Sequence, residues 1–125
     1  MGKSEKQMDK EHERNQRIID TAFRLFVEKK IEAVSMDEVA KEAGVGRATV
    51  FRCYTNKTEL AIAVCASKWK AYLDELDEVR PISSIHDIPA IGRFIFTLDS
   101  YIGMYQNHKD LLQYNDNFNN YVTHQ

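Results

Sequence analysis

Two helix starts and one helix stop lie close together in the N-terminal half of the chain. Ser35-Met36-Asp37-Glu38 has the form of a capping box, in which the serine hydroxyl accepts from the amide three residues on and the glutamate reaches back. Asn56-Lys57-Thr58-Glu59 repeats this pattern with asparagine. Gly44, between them, is the residue best able to take the left-handed conformation that ends a helix. The sequence therefore predicts two short helices, joined by a tight turn, between Ser35 and Tyr54.

Apolar residues recur at spacings of three and four along most of the chain, as they do on the buried face of an α-helix. No strand pattern competes with them, so the predicted fold class is all-α. Residues 1–13 are predicted to be a frayed arm or the exposed start of a helix, and residues 79–87, which include Pro81, a loop. The predicted helices run from about Asn15 to Lys29 or Lys30, Ser35 to Gly44, Arg47 to Tyr54, Asn56 to about Glu78, Ile88 to Tyr105 and Leu111 to Val122.

The helix predicted from Arg47 to Tyr54 is short and two-sided. Val50, Phe51 and Tyr54 give it an apolar back that would hold it rigidly against its neighbours. The positions left for its other faces are basic, small or polar: Arg47, Ala48, Thr49, Arg52 and Cys53. A short helix, a glycine turn and a second short helix with such a face form the architecture that fits the major groove of DNA.

Charge is unevenly distributed along the chain, although the net charge is only −2. Residues 1–60 contain 12 Lys and Arg against 11 Asp and Glu, whereas residues 61–125 contain 5 against 8. The segment from Ala43 to Thr58 has cations and no acid, so it could face phosphates without repulsion. A solvated helix face is the alternative explanation.

Other classes of protein fit the sequence poorly. The serine, aspartate and histidine candidates fall on separate predicted elements, without a nucleophile elbow or a phosphate-cradling loop, so we expect no catalytic site and no enzyme. Cys53 and Cys65 are too few for a disulfide framework, and the four histidines share no ligand spacing with them, so no metal or other cofactor is expected. No apolar run is long enough to span a bilayer and no secretion signal is visible, so a cytoplasmic location is expected.

Several segments together resemble the DNA-binding region of the tetracycline-repressor (TetR) family. They agree with it in order, spacing and residue type: Ile18 to Phe26, Ser35 to Ala40, Ala43 to Tyr54 and Asn56 to Leu60. The resemblance implies a three-helix helix-turn-helix DNA-binding headpiece over residues 14–60. It further implies a connecting helix that leads into a helical ligand-binding and dimerisation domain over residues 61–125, apparently incomplete.

The resemblance also implies a function. Family members are typically dimeric repressors that a small ligand, held in the C-terminal domain, releases from a palindromic operator. The implied partners are double-stranded operator DNA, a second copy of the chain and a small-molecule effector, with no membrane. Carried over position by position, the DNA-binding candidates are Ser35, Arg47, Ala48, Thr49, Phe51, Arg52 and Lys57.

Three positions depart from the family pattern. Phe51 stands where the family usually has a tyrosine, Cys53 replaces a common histidine or tyrosine, and Gly46 replaces a common serine or threonine cap. Weaker or differently specific binding is therefore expected. The family usually dimerises through helices that follow the point where this chain ends, so we expect truncation or another pairing surface.

The aromatic residues of the C-terminal half leave two interpretations open. They could line a ligand pocket between helices, or form core or an interface left bare, and the second interpretation is favoured. The set is Trp69, Tyr72, Phe94, Tyr101 and Tyr105.

The alternative function is a helical interaction module, or a truncated regulator, that binds a partner and withholds it from DNA. Cys53 could be a redox sensor beside Arg52, although a small polar space-filler is the favoured role.

Overall fold

The computed structural model describes residues 4–79 and 90–124. Among these residues, the side chains at 77–79, 90–94, 96, 97, 100 and 101 are left out of the description. The predicted loop over 79–87 lies almost entirely outside the described residues. The elements are α1 Glu5–Lys29, a 3-10 turn Ile31–Ala33, α2 Met36–Ala43, α3 Arg47–Cys53, α4 Lys57–Val79, α5 Ala90–Asn107 and α6 Lys109–Thr123. The all-α fold class is confirmed by these elements.

Helix α1 begins well before the first residue of the core. Its N-cap is Ser4, whose side chain accepts from the Gln7 amide while the Gln7 side chain accepts from the Ser4 amide. This reciprocal pair satisfies two amides that would otherwise lack partners at the helix start. The polar N-terminal segment is therefore the exposed start of a helix, one of the two alternatives expected from its sequence.

The caps of α2 and α4 lie where the sequence predicts them. The Ser35 hydroxyl accepts from the Glu38 amide at 3.1 Å, and the Asn56 side chain accepts from the Glu59 amide at 2.9 Å. The returning half of the first capping box differs from the prediction, because the Glu38 carboxylate pairs with Lys29 of α1 instead of the Ser35 amide. The Glu38 carboxylate thus pairs with a cation of another helix instead of capping its own helix, and this ion pair connects α2 to the end of α1.

Gly44 ends α2 in the predicted left-handed conformation, with φ 71° and ψ 33°. Its amide reaches the carbonyls of Ala40 and Lys41, and the next amide, of Val45, donates to Ala40 at 3.0 Å. These bonds satisfy carbonyls at the end of α2 and turn the chain sharply towards α3.

One continuous core joins the helix-turn-helix to both flanking helices. Phe26 of α1, Val39 of α2, Val50 of α3 and Leu60 of α4 are all fully buried in it, and so is Tyr114 of α6. Helix α5 instead contributes Met104 to a smaller cluster with Tyr72 and Leu111. Among the described residues, no helix is long and apolar enough to cross a membrane. The division into domains at residue 60 stays a prediction.

Replacing Gly44 by valine is expected to lower the free energy of unfolding by about 1–2 kcal/mol, the cost of a left-handed residue with a Cβ atom. The cause would be backbone strain alone, because a Cβ at Gly44 meets no atom within 4 Å. Gly46→Ala is the matched control, since Gly46 has φ −73° and its Cβ would meet only the Thr49 hydroxyl at 3.8 Å. Urea unfolding followed by circular dichroism measures both, and equal stability of the two variants would contradict the assignment.

Candidate nucleic-acid interface

The orientation of α3 is fixed by one buried residue and one hydrogen bond. Val50 is fully buried in the core, and Tyr54, at the C-cap, is half-buried with its hydroxyl donating to the Asn15 side chain of α1. Burial raises the pKa of the Tyr54 hydroxyl, so it stays a donor over the ordinary pH range. The C-terminal end of α3 is therefore tied to α1, and its opposite face is left to solvent.

The outer face of α3 differs from the sequence prediction at one residue. Phe51 was expected in the apolar back with Val50 and Tyr54, but its side chain is 39% exposed. That part of the prediction is wrong, because Phe51 lies about 100° around the helix from the buried Val50. The other exposed residues on α3 are Arg47, Ala48, Arg52 and Cys53, and Thr49 is half-buried.

Arg47 is held by two neighbours on this face. Its Nε lies 2.9 Å from Asp37 Oδ1 in α2, and its guanidinium lies 5.3 Å from the centre of the Phe51 ring. Both members of the ion pair are mostly exposed, so the attraction is weakened by water and worth about 0–1 kcal/mol. The pair orients the guanidinium without binding it tightly.

Arg52 has fewer contacts than Arg47 on this face. Its guanidinium donates to the Thr49 hydroxyl at 3.4 Å, one turn back on the same helix. Ser35 uses its hydroxyl oxygen as the cap of α2, so the hydroxyl proton is still available to a further acceptor. The structure thus presents Arg52 beside Thr49, and Ser35 at the start of α2.

Lys57 lies at the start of α4 and points back into the protein. Its ammonium donates to the Val34 carbonyl at 3.0 Å and to the Glu32 carbonyl at 3.4 Å, and it lies 5.7 Å from the centre of the Tyr121 ring. These contacts satisfy one carbonyl within the 3-10 turn and one directly after it. A phosphate contact by Lys57 would have to be made while these bonds are kept or in exchange for them.

The aromatic residues of the C-terminal half are only partly brought together. Trp69 and Tyr72 pack edge to face, with ring centres 5.9 Å apart, and Tyr72 is buried. Tyr105 is 63% exposed, so it does not join them, and the side chains of Phe94 and Tyr101 lie outside the described residues. An open cavity of about 440 Å³ lies beside Tyr72; it is lined by Phe23, Lys68, Ala71, Tyr72, Glu75 and residues 106–111.

Sequence reasoning missed the residues by which α6 holds the headpiece. The Asn117 amide is buried and donates to the Phe26 carbonyl, near the end of α1, at 2.9 Å. The Tyr114 hydroxyl donates to the Ala61 carbonyl in α4, and burial raises its pKa far above the usual value. The signal available in the sequence was the placement of Asn117 three residues after Tyr114, on the buried face of an otherwise asparagine-rich segment.

Comparison with known proteins agrees with this arrangement. Residues 18–64 match the family model of bacterial regulatory proteins of the tetR family. The chain is 31% identical over 68 residues to the HTH-type transcriptional regulator SAB2452 of Staphylococcus aureus (strain bovine RF122 / ET3-1), across 54% of this chain and 37% of that protein. It is 28% identical over 102 residues to the HTH-type transcriptional regulator SAR2658 of Staphylococcus aureus (strain MRSA252), across 81% of this chain and 52% of that protein. The chain thus spans about half or less of the length of these relatives.

Solved structures share the fold at low sequence identity. A TetR-family transcriptional regulator (HI0893) from Haemophilus influenzae superposes with a TM-score of 0.63 at 18% identity, over 85% of this chain and 56% of that one. The fatty acid degradation regulator FadR from Bacillus halodurans superposes with a TM-score of 0.57 at 17% identity, over 98% of this chain and 65% of that one. The caps, the Gly44 turn, the match over residues 18–64 and the shared fold together support membership of the tetR family of bacterial regulatory proteins.

Proposed function

We propose that this chain is a sequence-specific DNA-binding transcriptional regulator that places α3 in the major groove of an operator half-site. The observation that carries the proposal is the two-sided α3, which is anchored by buried Val50 and exposes Arg47 and Arg52 on its outer face. An arginine can donate two hydrogen bonds to guanine, and each such pair discriminates against the wrong base by about 1–3 kcal/mol. Such a regulator would act in the cytoplasm.

Base readout by Arg47 requires it to leave Asp37 or to bridge Asp37 and a base. The exposed ion pair is worth about 0–1 kcal/mol, which is less than a good bidentate contact to guanine. Asp37 therefore positions the free side chain and does not block it. Ser35 and Lys57, at the starts of α2 and α4, are proposed as phosphate contacts. Thr49 is proposed to contact a base or the DNA backbone, and Ala48 and Phe51 complete the DNA-binding face of α3.

Arg52→Ala is expected to reduce the preference for an operator, selected from a random pool of duplexes, over unrelated DNA by about 1–3 kcal/mol. Its melting temperature should stay unchanged, because the side chain is exposed and donates only to Thr49. Lys70→Ala removes a cation from the exposed surface of α4 and is the control. Fluorescence anisotropy on both duplexes measures the ratio, and full retention of the preference in Arg52→Ala would refute its role.

We further propose that the regulator binds as a homodimer and that a second copy packs on α5. Four large apolar side chains, each about half exposed or more, lie at spacings of three, four and three along this helix: Ile95, Leu98, Ile102 and Tyr105. We call them the α5 stripe. Asp99 is the one charged residue in the sequence between Arg93 and His108, so two copies could approach without strong repulsion. A dimer gives the two half-site contacts that a palindromic operator needs.

Light scattering tests the dimer. The wild-type chain is expected at twice the mass of one chain, and Ile102→Lys at the mass of one chain, because a buried ammonium would oppose packing of the α5 stripe. Ile62→Lys is the matched control, since Ile62 is equally exposed but lies on α4. A wild-type monomer that selects no DNA would instead favour the alternative function, a helical interaction module that binds a partner and withholds it from DNA. The exposed α5 stripe is the observation that supports this alternative.

A small-molecule effector is the remaining part of the proposal. The cavity beside Tyr72, of about 440 Å³, falls within the usual size range of ligand pockets and is bordered by α1, α4 and the turn between α5 and α6. Its lining combines the rings of Phe23 and Tyr72 with the charged side chains of Lys68 and Glu75. Such a lining suits a small amphipathic molecule that carries a polar group.

Ala71→Trp should fill this cavity and abolish the response to any compound that releases the wild-type chain from DNA, leaving DNA affinity itself intact. Ala71 lines the cavity and is exposed, so the larger side chain does not disturb the core. Ala66→Trp, also exposed on α4 but outside the cavity lining, is the control. Screening compounds by anisotropy provides the readout, and an unchanged response of Ala71→Trp would exclude this site.

A further inference from the structure

The first turns of α1 carry charge in separate sectors. Successive residues turn by roughly 100° around a helix, so the cations of this segment fall within a sector of about 80°, while its acids other than Glu11 fall within a separate sector of similar width. All of them precede Ile18, the first buried residue of α1. The cations are Lys6, Lys10, Arg14 and Arg17, and the acids of the other sector are Glu5, Asp9 and Glu13.

Two ion pairs further along α1 show which way each sector faces. Asp20, in line with the acidic sector, is 2.7 Å from the Lys68 ammonium of α4. Arg24, in line with the cationic sector, is 3.5 Å from the Glu42 carboxylate of α2. The cationic sector therefore lies on the side of the helix-turn-helix, and the acidic sector lies on the side of α4.

Arg14 connects this sector to the C-terminal end of α3. It lines a depression of about 560 Å³ together with Asn15, Arg52 and Tyr54. It also lines a second, smaller depression of about 250 Å³ with Gln7 and Lys10. The hydrogen bond from Tyr54 to Asn15 fixes α1 against α3 at the first depression. Lys10, Arg14 and Arg52 thus border one continuous strip of surface.

Lys10 and Arg14 differ from Arg47 and Lys57 in their partners. Among the described residues, neither Lys10 nor Arg14 forms an ion pair, whereas Arg47 is paired with Asp37 and Lys57 is bonded to two carbonyls. Glu11 borders the same two depressions and is itself engaged in an interaction. Arg14 therefore offers an unpaired positive charge at the depression that Arg52 borders, and Lys10 offers a second at the depression that shares Arg14 with it.

We propose that Lys10 and Arg14 bind backbone phosphates of the DNA that flanks the half-site read by α3, with Lys6 and Arg17 adding to the field of the same sector. The inference rests on the proposed DNA-binding function and extends its footprint beyond the helix-turn-helix. Phosphate contacts of this kind add affinity and salt dependence without adding base preference. The extended start of α1 would thus serve as an arm along the DNA backbone.

The test compares two duplexes, the selected operator alone and the operator with about ten further base pairs on each side, one turn of B-DNA. Lys10→Gln/Arg14→Gln is expected to lose about tenfold or more in affinity for the long duplex at low salt, with a salt slope shallower by about 2. Its affinity for the short duplex and its operator preference should be close to wild type. Lys70→Gln/Lys109→Gln removes two exposed cations from α4 and α6 and is the charge-matched control.

The outcomes separate this inference from the function on which it rests. If the wild-type chain selects an operator but the Lys10/Arg14 variant matches it on both duplexes, or loses equally on both, the arm is wrong and the proposed function stands. If the control pair loses as much as the variant on the long duplex, the effect is net charge and the inference is again overturned. If the wild-type chain selects no DNA at low or at high salt, both the inference and the proposed function are wrong.

Discussion

The candidate interface depends on the burial of Val50 in the core. Helix α3 has seven residues, far fewer than an isolated helix needs to be stable in water. Val50 is its one fully buried side chain, and burying a valine contributes roughly 1.5–3 kcal/mol. The helix therefore exists because α1, α2 and α4 provide a site for this residue, and the direction of its outer face follows from that site.

The other contacts of the headpiece hold α3 in the position that the burial of Val50 sets. The left-handed Gly44 sets the angle at which α3 leaves α2, and the Tyr54 hydroxyl fixes the other end of α3 to α1. Helix α6 completes the core, and its buried Asn117 donates a hydrogen bond to the Phe26 carbonyl near the end of α1. Because residues distant in sequence complete the core, the N-terminal and C-terminal segments stabilise each other.

Local signals in the sequence predicted most of the fold but less of the site. Caps, glycine and apolar spacing depend on neighbours within a few residues, so the starts of α2 and α4 and the turn at Gly44 could be predicted. The exposure of Phe51 could not be, since a seven-residue helix has too few turns to show a reliable period. The partner of Glu38 is a residue that only the folded chain brings near, and the spacing that places Asn117 on the buried face of α6 does not identify the Phe26 carbonyl as its partner.

The distribution of charge explains how a chain with net charge −2 can present a cationic surface. Acids of the headpiece lie mainly along seams between helices, where Asp20 meets Lys68 and Glu38 meets Lys29. Each of these pairs neutralises its cation and its acid locally, so it contributes little to the field at a distance. The field beside α3 is then set by the cations that have no such partner, and for this reason net charge is a poor guide to what this surface binds.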